Sequence, residues 1–150
     1  MPTNATMRHI LYSVIFISLM LASCGSQEEV SRVLSPDGHV EAVLIETDGG
    51  ATTSFGYRVL VETKGQWFSG EQVAWLYGAG RNEDAYGVNL KWNSDSELFI
   101  EYLDAREAKL MKRNINVAGR GVTVALHGGI TDPTAPAGGM LHNLKKKGGG

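Results

Sequence analysis

The chain has a single cysteine, four prolines, few aromatic residues (8%) and no long apolar run in its 150 residues. One cysteine cannot form an intrachain disulfide or a multi-cysteine metal centre. The longest mostly apolar run, residues 10–22, would be about 20 Å long as a helix, against a bilayer core of roughly 30 Å. It is a poor permanent membrane span. The four histidines show no His-x-His or His-Glu-x-x-His spacing, which argues against a zinc site, although a sheet could bring His39 and His127 together. A Gly-x-Ser-x-Gly elbow is missing, since Ser54 lies in Thr-Ser-Phe-Gly. There is also no P-loop lysine or Walker spacing. The glycines beginning at Gly78 fail as a dinucleotide fingerprint because Glu83 stands where the third glycine belongs. No metal and no cofactor is implied. Positive charge is scarce as well: without Arg8 and Lys145–Lys147, ten basic residues stand against sixteen acids, leaving about −6. A domain of that sign is not built to grip nucleic acid.

What the chain does have begins with Arg8, followed by the apolar run and then by Leu21-Ala22-Ser23-Cys24. A positive start, a short apolar region and small residues at its end read as an export signal. Met1 and Met7 are both possible starts, since Met7-Arg8-His9 already supplies a charged beginning. Leu21-Ala22-Ser23-Cys24 resembles the lipobox of bacterial lipoproteins, in which signal peptidase II cuts before the cysteine. The resemblance implies a diacylglyceryl thioether on Cys24, often with a further acyl chain such as palmitate on its freed amine. At about 0.8 kcal/mol per buried methylene, one chain binds a membrane marginally and two or three hold firmly. Gly25, rather than Asp, follows the cysteine. In Gram-negative lipoproteins of the enteric type this favours the outer membrane, facing the periplasm.

The expected organisation is a signal peptide at 1–23, a lipidated polar tether at 24–29, one folded domain at 30–130 and a disordered tail at 131–150. The tail is rich in proline and glycine around Lys145-Lys146-Lys147. Its lysines either lean on an anionic membrane surface or simply solubilise the chain. Roughly 100 residues suffice for one small core.

Between the ends, turn signals punctuate short β-rich segments. Ser35-Pro36-Asp37-Gly38 suits a tight turn, with Pro presetting φ and Gly supplying a positive φ. A largely buried strand follows at 39–47. In 55–62, Phe55, Tyr57, Val59 and Val61 share one face while Arg58 and Glu62 share the other, the period of a half-buried strand. Further strands are expected at 71–77, where Val73, Trp75 and Tyr77 alternate, and at 88–92, 97–103 and 122–126. Residues 104–116 read two ways. Asp104 can cap a short helix within 104–112, or residues 109–117 can pair with 122–127 as a hairpin. An eight-residue helix is marginal alone, so a turn or short helix at 104–108 followed by a strand is favoured. The fold class is mostly β, as a single antiparallel sheet or a β-sandwich.

The motifs Ser35-Pro36-Asp37-Gly38 and Gly50-Ala51-Thr52-Thr53 resemble those of a set of small exported bacterial proteins of unassigned activity. In that set the Gly-Ala-Thr-Thr signature is often preceded by Cys, where this chain has Gly49-Gly50. The resemblance spans about residues 35–62. It implies a small β domain and transfers no activity.

Two loops are candidate binding sites. Thr52, Thr53 and Ser54 offer three hydroxyls beside glycine-freed amides, suited to an anion or a sugar, or else to satisfying their own backbone. In the long segment 78–87, Arg81, Asp84 and Tyr86 could contact a partner, with Trp67 as a further aromatic anchor. The sequence therefore points to a non-enzymatic envelope lipoprotein that binds an envelope protein or a small ligand. The alternatives are a small hydrolase or carbohydrate-active protein built on Thr52–Ser54, with His39 or His127 as base, and a purely structural tethered domain.

Overall fold

A computed structural model describes residues 26–50, 52–67, 69–80 and 87–131. They form nine strands: β1 (Ser26–Leu34), β2 (Val40–Asp48), β3 (Gly56–Thr63), β4 (Glu71–Tyr77), β5 (Val88–Ser94), β6 (Glu97–Tyr102), β7 (Glu107–Leu110), β8 (Asn114–Val117) and β9 (Arg120–Gly128). A five-stranded sheet runs in the order β1-β2-β3-β4-β7, and a four-stranded sheet in the order β5-β6-β9-β8. Every pairing is antiparallel except β6 with β9. The expected mostly β domain is thus a two-sheet sandwich.

Alternation sorts the side chains. Val40, Ala42 and Leu44 of β2 and Tyr57, Val59 and Val61 of β3 belong to the same buried cluster as Leu90, Leu98, Ile100, Val122 and Val124 of the second sheet. Phe55 packs against this cluster, so the face read from residues 55–61 is the inward one. The opposite positions of β2 and β3 form the outer face of the five-stranded sheet. There Val43, Ile45 and Leu60 make a second, smaller buried cluster.

Three local expectations are corrected. The polar tether does not extend to residue 29: β1 begins at Ser26, with Ser26 opposite Asp48 and Glu29 opposite Ile45. An edge strand is held by its backbone ladder, which polar side chains do not prevent. The described residues contain no helix at 104–112. Glu107–Leu110 instead adds to the edge of β4, from Tyr77↔Glu107 to Ala74↔Leu110. There Ala108 and Leu110 pack against the core, a gain that outweighs the helix propensity of so short a segment. The hairpin alternative holds for β8 and β9, joined across Ala118 and Gly119, while residues 111–113 carry the chain from one sheet to the other. Finally, Val73, Trp75 and Tyr77 do not share a face. A bulge shifts the register between Val59↔Ala74 and Leu60↔Gln72. It leaves Val73 in the core and puts Trp75 and Tyr77 on the outer face.

The β8–β9 turn has positive φ at both central positions, 50° at Ala118 and 82° at Gly119, the type I′ pattern of tight hairpins. Alanine tolerates that region less well than asparagine. Ala118→Asn is therefore expected to stabilise the domain by about 0.5–1 kcal/mol, read as a higher denaturation midpoint at unchanged slope. No change, or a lower midpoint, would reject the turn assignment.

Candidate functional site

The sandwich has two ends. At the near end β1 starts, β2 stops at Asp48, β3 starts at Gly56 and β4 stops at Tyr77. The loop at 49–55 lies here. Its turn closes on itself, since the Thr53 amide and the Thr53 hydroxyl both donate to the Gly50 carbonyl at 3.0 Å. The Gly50 amide donates to Asp48 Oδ1 at 2.8 Å, and the Ser54 amide donates to the Tyr77 hydroxyl at 3.0 Å. The Thr53 hydroxyl is thus engaged by local backbone. Thr52 and Thr53 are exposed and Ser54 is half-buried.

Arg81, Asp84 and Tyr86 lie outside the described residues, as does Cys24. The residues flanking 81–86 are firmly placed. Gly78 N–H donates to Phe55 O at 2.9 Å, Gly80 N–H to Asp104 O at 3.1 Å and Gly87 N–H to Gly80 O at 2.9 Å. Both sequence-predicted loops therefore leave the sandwich at the same end as the start of β1.

The histidines are not brought together. His39 precedes β2 in the far-end turn, where its amide donates to Asp37 Oδ1 at 3.2 Å. His127 lies on β9 in the other sheet, its ring 4.2 Å from that of Phe99. Among the described residues no group of three His, Cys, Asp or Glu side chains could hold a metal ion.

The richest chemistry lies on the outer face of the five-stranded sheet. Register places Glu29, Ile45, Arg58, Trp75 and Lys109 in one row across it, and Arg32, Val43, Leu60 and Gln72 in the next. Arg32 is the hub of the first of two clusters. Its Nε and Nη2 donate to the two oxygens of Glu29, each at 3.0 Å. Its Nη1 donates to Glu41 and Glu62 at 2.7 Å and to Gln66 O at 3.2 Å. The side chain of Glu62 is fully buried (0% exposed) and also accepts from Gly70 N–H at 3.0 Å. Trp67, 74% exposed, lies over the guanidinium with 5.6 Å from Cζ to the ring centroid, a cation–π contact.

These contacts set the charges. The hydrogen bond to Glu29 raises the Arg32 pKa further above its already high ordinary value, against the opposing effect of burial. At Glu41 burial pushes the pKa up. The Gly65 amide, the Arg32 hydrogen bond and the Arg32 charge together outweigh it, so the carboxyl ends below its ordinary range.

The second cluster centres on Arg58. Its Nε donates to Gln72 Oε1 at 2.9 Å and its Nη1 to Gln27 Oε1 at 3.4 Å. Gln27, Ile45, Arg58 and Leu60 line a cleft of about 170 Å³. Beside it the rings of Trp75 and Tyr77 stack, 5.8 Å between centroids and 8° from parallel. Sequence reasoning missed this face. Its one visible signal was the pairing of Arg58 and Glu62 opposite the apolar side of β3. The three tryptophans differ in placement: Trp67 is exposed, Trp75 lies on the outer face, and Trp92 is part-buried with its Nε1–H on Val33 O at 3.0 Å.

The chain matches no protein family, no curated protein and no solved structure with significance.

Proposed function

We infer that this chain is an exported, lipid-anchored binding module of the bacterial cell envelope, and that its binding surface is the outer face of the five-stranded sheet. The observation that carries the binding reading is the gathering on that face of two arginines, an exposed tryptophan, a stacked Trp–Tyr pair and a small cleft. Support for the anchor comes from the apolar run at 10–22 and Leu21-Ala22-Ser23-Cys24. A hydrolase built on residues 52–54 has less support, because the Thr53 hydroxyl is engaged by Gly50 O and His39 stands at the opposite end of the sandwich.

The early start of β1 gives the anchor a direction. A single residue, Gly25, separates Cys24 from Ser26, at most about 7 Å of extended chain. A lipidated Cys24 therefore holds the near end, with residues 49–55, against the membrane. The strands stand up from the surface and the outer sheet face forms a side wall open to partners.

In wild-type cells the protein should take up labelled palmitate and sediment with membranes, and Cys24→Ser should lose both properties. A cysteine introduced at Thr52 should be shielded from a bulky maleimide on intact membranes and become reactive in detergent. One at Ser96, in the far-end β5–β6 turn, should react in both conditions. An unlabelled, soluble wild type would reject the anchor. Equal reactivity at 52 and 96 would reject the orientation alone.

A further inference from the structure

We propose that the Arg58 cleft binds a carboxylate carrying a short aliphatic group. Arg58 is the centre of the argument. Among the described residues its guanidinium is held by the amide oxygens of Gln72 and Gln27 and by no carboxylate. The nearest acid in its row is Glu29, on the far side of Ile45, and both Glu29 oxygens are committed to Arg32. Two neutral acceptors fix the orientation of the Arg58 fork without neutralising its charge. A planar guanidinium in that state matches an anion that can accept two parallel N–H bonds. The contact to Gln27 is long, at 3.4 Å, and is the one an incoming carboxylate would replace.

The floor of the cleft defines the rest of the ligand. Ile45 and Leu60 are buried among their neighbours, yet both line the opening next to Arg58. Inorganic phosphate would leave that apolar floor unused and surrender its own hydration. A carboxylate with an aliphatic body uses both parts of the site. The volume, about 170 Å³, is close to that of an apolar cavity of ~150 Å³ that accepts benzene. That limits the body to about four or five carbons and excludes a long acyl chain. The carboxylate can belong to a free short-chain acid or to a polypeptide C-terminus ending in an aliphatic residue. The recognised chemistry is the same in both.

The proposal rests on the reading of this face as a binding surface and is independent of the lipid anchor. Failure of palmitate labelling leaves it standing. It is tested by titrating the full-length ¹⁵N-labelled protein, in detergent micelles, with isovalerate. The side-chain signals of Gln27, Gln72 and Arg58 Nε should shift and saturate. Acetate, which lacks the body, and 3-methylbutanol, which lacks the charge, should bind much more weakly. Arg58→Gln should weaken isovalerate binding by about tenfold or more, with a dispersed spectrum reporting that the fold is intact. A tripeptide ending in a free valine carboxylate, compared with its amide, separates the two sources. Tighter binding of the free-acid peptide than of isovalerate assigns the site to a chain terminus, and the reverse assigns it to a small acid. Absence of a saturable shift with every probe overturns the proposal. So do equal shifts in the Arg58→Gln protein or with the alcohol.

Discussion

Replacing Arg32 by alanine is expected to destabilise the domain by about 3–4 kcal/mol, the lower part of the ~3–5 kcal/mol range for breaking a buried ion pair. The lower part applies because the Arg32 side chain is 22% exposed and Glu41 is not fully enclosed. The loss is still large because Glu62 is not exposed at all and, of the Arg32 and Gly70 donors, would keep the Gly70 amide alone. The attraction between Arg32 and its carboxylates is a smaller part of the effect than the stranding of buried negative charge. Neutralising the stranded group should therefore restore stability. Arg32→Ala combined with Glu62→Gln is expected to be more stable than Arg32→Ala alone, and a double-mutant cycle in chemical denaturation measures the coupling. Arg32→Lys should fall between, since one ammonium cannot serve Glu29 with a fork and also reach Glu41 and Glu62. An Arg32→Ala protein within about 0.5 kcal/mol of the parent, the scatter of ordinary surface substitutions, would show that the carboxylates regain water freely.

The same cluster gives a pH dependence of defined sign. Glu41 sits below its ordinary value in the folded protein, so between the folded and unfolded values the unfolded chain binds more protons. Stability from this group is present at neutral pH and is lost as pH falls below about 4.5 and through the folded value. Removing Arg32 takes away two of the influences that lower it and leaves burial opposed by the Gly65 amide and the more distant Lys64. The acid limb of a stability–pH curve should flatten in Arg32→Ala.

The inward face was legible in the sequence because each inward strand repeats its apolar residues at every second position, as Tyr57, Val59 and Val61 do. The far-end turn was legible because its chemistry is local. The Ser35 hydroxyl donates to Asp37 Oδ1 at 2.7 Å and accepts from Val40 N–H at 3.1 Å, while Gly38 N–H donates to Ser35 O at 2.8 Å. With burial opposing it, that Ser35 hydrogen bond is the main influence holding the Asp37 carboxyl below its ordinary range. Elements fixed by partners rather than by their own pattern were not legible. β1 opens on polar residues and β7 on good helix formers, and both exist because a neighbouring strand offers an open edge. The bulge at Val73 leaves no mark on a strictly alternating Val-Ala-Trp-Leu-Tyr stretch, yet it reverses the face on which Trp75 and Tyr77 stand relative to Val73. The outer-face site escaped for the same reason. Gln27, Arg58 and Gln72 belong to three strands, and only the register between those strands brings them together.

Gly87→Val is expected to cost about 3–5 kcal/mol, from backbone strain and overpacking together. Gly87 has φ of 87°, a region that β-branched side chains avoid. A Cβ there would lie 2.6 Å from Tyr57 Oη and 3.0 Å from its Cζ. Tyr57 cannot move aside, being fully buried, at 0% exposed, within the core between the sheets. Its burial also pushes the phenol well above its ordinary pKa, so it keeps its proton across the physiological range. Against a total stability of about 5–15 kcal/mol, such a loss is a large fraction. Part of it should be recoverable. Tyr57→Phe removes Oη, the nearer of the two contacts, and leaves Cζ and the backbone strain in place. The double variant should therefore cost less than the sum of the two single changes, and Gly87→Ala should cost less than Gly87→Val. Gly87 N–H also closes onto Gly80 O, so amide exchange at Gly87 should accelerate in Gly87→Val as the base of the 81–86 segment loosens. Strict additivity of the Gly87 and Tyr57 changes would refute the close approach of these two residues, and with it the near-end packing of Gly87 against the core.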